Sequence, residues 1–187
     1  MTRTETQDQI LDAVQSVIVR DGVRGASMRQ VAEEADVSLG LLSYHFDDKD
    51  SLILATFDRV TTALLEASFA AAEAVDDPAE KPGAFLRGAF TDEFLDGDYL
   101  SIRVSLWAVA LTDERIALVD AEYYEQYAGA LRGLLAAARP DLSSDEVATR
   151  TVDVIAVSNG VWLDWARHEN PDDLERGLQF CERIALG

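Results

Sequence analysis

Apolar residues recur at helical spacing along most of the chain. Between Pro78, Pro82, Pro140 and Pro171 run long stretches rich in Ala and Leu. Strictly alternating Val, Ile and Thr runs are missing. No Asn-Gly or Asp-Gly pair separates two strand-like segments, since Asp21-Gly22 and Asp96-Gly97 both follow helical patterns. The pattern predicts an all-α fold of about nine helices. A first helix is expected over about residues 4–21, with Ile10, Ala13, Val14 and Val17 on one face and Gly22 closing it. A short helix follows over 26–36, where Ser27 is the N-cap, Gln30 is spaced for a capping box, and Met28, Val31, Ala32 and Ala35 form the buried stripe. Asp36-Val37 makes a tight turn, and Ser38 caps a helix over 39–46. In that helix Leu42 and Phe46 point one way, and Leu39, Gly40, Ser43 and Tyr44 the other. Asp48 caps a long helix over 49–75. Further helices are expected at 79–96, 99–111, 114–138, 144–168 and 172–186.

Two short helices joined by a tight turn, after a longer bracing helix, describe a helix-turn-helix. In such a unit the second short helix enters the major groove of DNA and the first crosses the backbone. Small Ala32 and Ala35 let the two helices approach closely. The short-chained outward face of residues 39–44 lets the backbone come near base edges.

GASMRQVAEEADVSLGLLSYHFDDKDSLILAT, residues 25–56, resembles the DNA-binding signature of the tetracycline-repressor (TetR) family. The resemblance rests on an apolar helix, a turn ending in Val-Ser, a Gly, an aromatic-His-Phe end and a Lys three positions on. It places the helix-turn-helix at 27–46 within a family domain of about 4–64. Asp36 stands where the family usually has Gly, and Leu41 and Ser43 stand for its common Thr and Tyr. Gly40 and Ser43, with Gly160-Val161-Trp162-Leu163 and Leu106-Trp107-Ala108, resemble the BetI branch, repressors of choline-to-betaine pathways.

The resemblance implies a DNA-binding domain at 1–50 and a ligand-sensing, dimerising domain at 51–187. By position, Ser27 with the amides of Met28 and Arg29 would lie at a phosphate, and Arg29 and Lys49 would be phosphate contacts. Ser38, Leu39, Gly40, Ser43 and Tyr44 would meet base edges and sugars, and Tyr44 and His45 would also hold the backbone. The implied protein is a homodimeric repressor, released from a palindromic operator when a small molecule binds the C-terminal body and swings the fourth helix.

Charge complicates this picture. The 187 residues hold 35 acids and 16 bases, a net charge of −19, and all the bases except Lys49 and Lys81 are Arg. The acids are spread along the chain. This fits an acidic mesophile protein or, as we read it, a halophilic one. In molar salt the screening length falls to about 3 Å, and carboxylates keep a surface hydrated. Residues 1–50 contain five bases and ten acids. Counterion release vanishes in molar salt, so operator binding should show a weak, flat or inverted salt dependence. The polar N-terminus and the single cysteine, Cys181, point to the reducing cytoplasm, with no membrane span.

In the C-terminal half, Val147, Thr151, Val154, Ser158, Val161 and Trp165 trace one stripe, and Val152, Ile155, Ala156, Asn159 and Leu163 another. A helix apolar over that arc is buried twice. With Leu174, Leu178 and Cys181 on the last helix, the second stripe suggests a two-fold dimer through a four-helix bundle. Phe57, Phe94, Trp107, Tyr123, Tyr124, Tyr127, Trp162 and Trp165 are the pocket candidates. Aromatic faces beside carboxylates can cage a quaternary ammonium, although aromatics at helical spacing also fill cores. No metal-ligand spacing, Ser-His-Asp arrangement or Gly-rich phosphate loop is present, and no cofactor or catalytic residue is expected. A helical enzyme or scaffold retaining the fold, or a DNA-binding regulator without small-molecule input, are the competing readings.

Overall fold

A computed structural model describes residues 3–187, with side-chain detail from residue 5 onward; the first two residues of the expected 1–50 domain lie outside it. The described residues form ten helices and no strand. These are α1 (Arg3–Gly25), α2 (Met28–Glu34), α3 (Leu39–His45), α4 (Lys49–Glu73), α5 (Lys81–Gly88), α6 (Asp92–Leu95), α7 (Gly97–Ala110), α8 (Glu114–Ala138), α9 (Ser144–His168) and α10 (Pro171–Leu186).

The extra helix comes from a break in the stretch expected as one helix over 79–96. Apolar period runs through it, and Phe85, Leu86, Ala89, Phe90 and Phe94 are all buried. The backbone nevertheless leaves the helix after Gly88 and is extended at Thr91 (φ −77°, ψ 164°). Gly88 is pressed on α4, where a Cβ would lie 2.8 Å from both the Ala67 carbonyl oxygen and Ser68 Cα. Gly22 interrupts α1 rather than ending it. Its φ of 72° is a left-handed value that glycine adopts freely, and helical structure resumes to Gly25.

The chain packs as two units. The first holds the residues up to Thr61 with Asp98–Ala121; the second holds Thr62–Gly97 with Glu122–Gly187. In the first, Ile10, Val14 and Val17 of α1 meet Val31, Ala32, Leu42, Phe57, Ile102 and Leu106 in one core. Each large aliphatic or aromatic side chain removed from water there contributes about 1.5–3 kcal/mol.

The second unit is centred on Phe85, Leu131, Leu135, Val147, Val154 and Cys181. Its last two helices start from strong caps. Ser143 accepts from the Glu146 amide at 3.3 Å while Glu146 accepts from the Ser143 amide at 2.9 Å. Asn170 Oδ1 accepts from the Asp172 amide at 3.0 Å, with Pro171 in the first turn. Gly177 lets α10 close on α9, since a Cβ there would lie 2.6 Å from Val161 Cγ2. Arg87 of α5 grips α10 through Glu175 at 2.8 Å and Glu182 at 2.6 Å.

Candidate functional site

The paired short helices are built by local hydrogen bonds that the sequence dictates. Ser27 is extended, and its Oγ accepts from the Gln30 amide at 3.3 Å. The same hydroxyl donates to Gln30 Oε1 at 2.7 Å, so the Gln30 side chain bonds the Ser27 hydroxyl rather than its backbone amide, and only the Ser27 half of the expected capping box forms. Past α2, Asp36 takes φ 50°, the left-handed turn position where the related signature usually has Gly. Its short polar side chain makes that region tolerable. Val37 N–H donates to the Ala32 carbonyl at 3.0 Å and closes the turn. From α1, Gln9 Nε2 donates to the Ala35 carbonyl at 2.7 Å and holds it in place. Ser38 then caps α3, accepting from the Leu41 amide at 3.1 Å. At the head of α4, the Ser51 amide donates to Asp48 Oδ1 at 2.7 Å, and the Asp48 amide donates to Ser51 Oγ at 3.1 Å. The Ser51 amide also holds the Asp48 carboxyl below its ordinary range.

α3 has one inward face, Leu42 and the capping Phe46, and both are buried. The opposite side is open. Tyr44 is 70% exposed, Leu39 48% and Leu41 38%, and Gly40, Ser43 and Ser38 are exposed beside them. Leu41 was not among the expected contacts; helical spacing alone places it on the flank of the open face. A Cβ on Gly40 would meet nothing nearer than Ser38 Oγ at 3.9 Å. The fold does not need glycine there, and what glycine provides is a bare backbone at the centre of the outward face.

The flanking residues divide. Arg29 is exposed on α2, with Glu33 3.9 Å away. Ser27 and Met28 are half-buried, and Met28 packs on the core. His45 is half-buried, its ring edge-on to Tyr44 at 5.3 Å and its Nδ1 buried without a hydrogen-bond partner. Lys49 Nζ donates to the Arg24 carbonyl at 3.1 Å. It lines a groove of about 210 Å³ with Val23, Asp50, Asp113 and Arg115, where Arg115 pairs with Asp50 at 2.5 Å.

The eight aromatic pocket candidates are divided between the two units. Phe57 and Trp107 belong to the first unit and the other six to the second. Phe57 is core, and the Arg103 guanidinium lies 5.0 Å from the centre of the Trp107 ring. One face of Trp107 is thus held by the chain's own cation. Near Arg103, burial raises the Asp120 carboxyl above its ordinary range, an effect the arginine partly offsets. In the second unit, Tyr123 and Tyr127 meet at 6.1 Å, and Tyr127 meets Phe85 at 4.9 Å. Trp162 packs on Phe90 at 5.0 Å, Phe94 is core, and Tyr124 is partly exposed. Trp165 donates through Nε1 to the Leu95 carbonyl at 2.9 Å. Phe85 and Phe90, which were not among the candidates, are the ring partners of Tyr127 and Trp162.

The stripe expected to pair with a second copy also splits. Val152 (53%), Ala156, Asn159 and Leu163 (45%) are exposed, whereas Ile155, Leu178 and Cys181 are buried in the unit's own core and Leu174 is half-buried. A groove of about 740 Å³ runs between α9 and α10, lined by Val157, Gly160, Val161, Gly177 and Phe180 among others. Among the described residues no His, Cys, Asp and Glu group could hold a metal ion, and no helix is long and apolar enough to cross a membrane.

A capped pair of short helices with an open, glycine-centred outer face defines a helix-turn-helix protein of the kind that meets duplex DNA. The model of the bacterial regulatory proteins of the tetR family matches residues 10–56, and that of the BetI-type transcriptional repressor C-terminal domain matches residues 78–185. The chain belongs to the TetR family, with a BetI-type C-terminal domain. It is similar to the HTH-type transcriptional regulator BetI of Paraburkholderia phytofirmans, 26% identical over 174 residues that make up 92% of this chain and 88% of that protein. Its fold matches that of a protein described as a transcriptional regulator from Pseudomonas aeruginosa PAO1, with a TM-score of 0.90 over 98% of this chain and 90% of the other, at 24% identity. A regulator from Saccharomonospora viridis, solved in complex with choline, matches with a TM-score of 0.79 over 97% and 96% of the two chains, at 18% identity. The family and these homologues are transcriptional regulators, not enzymes, and the chain is a DNA-binding regulator of transcription.

Proposed function

We propose that the chain works in the cytoplasm as a homodimeric, ligand-released repressor, with residues up to about 50 as the reading head and the remainder sensing and dimerising. The observation that carries this reading is the outer face of α3: exposed, bare at Gly40, and held by side-chain caps at Ser38 and Asp48. Ser38, Leu39, Gly40, Ser43 and Tyr44 meet base edges, and Arg29, His45 and Lys49 meet phosphates. Ser27 and Met28 act mainly through the start of α2.

A two-fold axis beside α9 and α10 would cover Val152, Ala156 and Leu163 and fill the groove beside Gly160 and Phe180. A helix face that leaves such side chains in water favours a partner. For the effector we propose a quaternary ammonium compound of the choline type, held by aromatic faces of the second unit, with the Tyr123–Tyr127–Phe85 group as the best-formed cluster. The BetI-type match and the choline complex of the Saccharomonospora viridis regulator support this choice. The ligand must favour an arrangement of α4 that moves the two heads out of register, since equal affinity for both arrangements would shift nothing. The acidic surface fits a halophilic interior.

The test is a mobility shift on the duplex upstream of the chain's own gene. Specific retention, lost in the Arg29→Ala, Lys49→Ala double variant and reversed by choline or betaine aldehyde, supports the reading. Retention that ignores the double substitution contradicts the reading head. Absence of calorimetric heat and of DNA release with both compounds removes the proposed effector.

A further inference from the structure

α3 reads Leu39-Gly40-Leu41-Leu42-Ser43-Tyr44-His45. It contains no Arg or Lys to fork onto guanine O6 and N7, no Asn or Gln to pair with adenine, and no Asp or Glu to accept from cytosine N4. Apart from the hydroxyls of Ser43 and Tyr44, what it exposes is apolar: Leu39 at 48% and Leu41 at 38% stand on either side of Gly40. Nothing in the chain's own packing needs these two leucines outside, because Leu42 and Phe46 already supply the inward face.

In the major groove an apolar side chain has one group to match, the C5-methyl of thymine. Against guanine, cytosine or adenine a leucine strips water from polar edges and returns no hydrogen bond, which is costly. The electrostatic background sharpens the contrast. With ten acids and five bases in residues 1–50, sequence-independent attraction to phosphate is weak, and discrimination falls on what α3 touches.

We infer that Leu39 and Leu41 select the operator through thymine methyl groups, and that guanine edges contribute little to recognition. This rests on the reading that α3 enters the major groove. Gly40 brings the helix backbone close enough for two short apolar side chains to reach the groove floor. Ser43 and Tyr44, whose hydroxyls can donate or accept, adjust register without fixing a base. The half-site is then defined by the positions of its thymines on both strands.

The experiment uses the full-length protein and the operator located by footprinting on the chain's own upstream region. Thymines in each half-site are replaced singly by deoxyuridine, which lacks only the methyl. Guanines are replaced singly by 7-deazaguanine, which lacks the N7 acceptor. Fluorescence anisotropy at one fixed KCl concentration reads affinity, with deoxyuridine outside the half-sites as the control. The expected result is a loss of about fourfold for each contacted methyl, the transfer free energy of one carbon, and less than about twofold for any guanine change. In the Leu39→Ala, Leu41→Ala double variant the deoxyuridine penalty disappears; both positions are exposed, and unchanged circular dichroism verifies the fold. The inference is overturned if deoxyuridine is neutral in the parent, if 7-deazaguanine costs more than deoxyuridine, or if the penalty survives in the double variant. A protein that prefers no duplex at all defeats the DNA-reading role itself, and that outcome is distinct from an operator bound without regard to methyls.

Discussion

Lys49 Nζ donates a hydrogen bond to the backbone carbonyl of Arg24 at 3.1 Å, joining the first turn of α4 to the end of α1. The side chain lines a groove with Asp50, Asp113 and Arg115, where both carboxylates pair with Arg115. Lys49→Gln keeps an amide that can bond the carbonyl and removes only the charge. Titrating operator affinity against KCl should give a shallow slope for the parent, flat or inverted towards molar salt. The variant should bind more weakly at low salt, with its slope shifted by about 0.9 in log–log units, the share of one phosphate contact. A steep ordinary slope in the parent contradicts the salt-adapted reading. Identical slopes in both proteins remove Lys49 from the interface.

Gly40 separates the needs of folding from those of binding. A Cβ there makes only an ordinary contact with Ser38 Oγ at 3.9 Å, and glycine inside a helix costs about 0.5–1 kcal/mol relative to alanine. Gly40→Ala should therefore raise stability towards urea by roughly that amount while weakening operator binding. Destabilisation by the alanine would show that the residue serves the fold, and unchanged affinity would show that the helix backbone does not approach DNA.

The grip of α5 on α10 should be visible in acid. Arg87, beside Glu175 at 2.8 Å, lowers that carboxyl to about 2 from an ordinary 4.5. A depressed carboxylate stabilises the fold above its unfolded value and loses that contribution as pH falls through its folded value. The stability difference between the parent and Arg87→Gln should be full above pH 4.5 and shrink as pH falls towards about 2. Urea midpoints across that range measure it, and molar KCl should reduce it because the pair is partly exposed. A difference independent of pH contradicts the pairing.

Cys181 lies wholly inside the second unit, and burial pushes its thiol up to about 11. It should stay unlabelled by iodoacetamide at pH 8 in the native protein and react promptly in denaturant. Rapid native labelling, or a disulfide between two copies, would contradict its place in the core.

The reading head was legible almost residue by residue because its determinants are local. Ser27, Asp36, Ser38 and Asp48 each act on backbone groups within three or four positions, so side-chain chemistry and spacing suffice. The break at Thr91 was not legible: apolar period continues through Phe85, Leu86, Ala89, Phe90 and Phe94, and the close approach of Gly88 to α4 beside it is a tertiary contact. The apolar stripes of α9 predict burial on two sides, but periodicity does not say by what. Ile155 is covered by its own unit, whereas Val152 and Leu163 remain open. Aromatic residues raise the same difficulty. Trp107 looked like a free ring for a ligand cation, and Arg103, four residues before it on α7, already stacks there.

A capped pair of short helices presented twice to one duplex leaves a two-fold imprint, which hydroxyl-radical footprinting of the native protein on its own upstream region reads out. Two protected half-sites related by two-fold symmetry are expected, with centres about 10 base pairs or a small multiple of one helical turn apart, and both lost together when Arg29 and Lys49 are replaced. A single unsymmetric patch, or protection that survives those replacements, would contradict this arrangement.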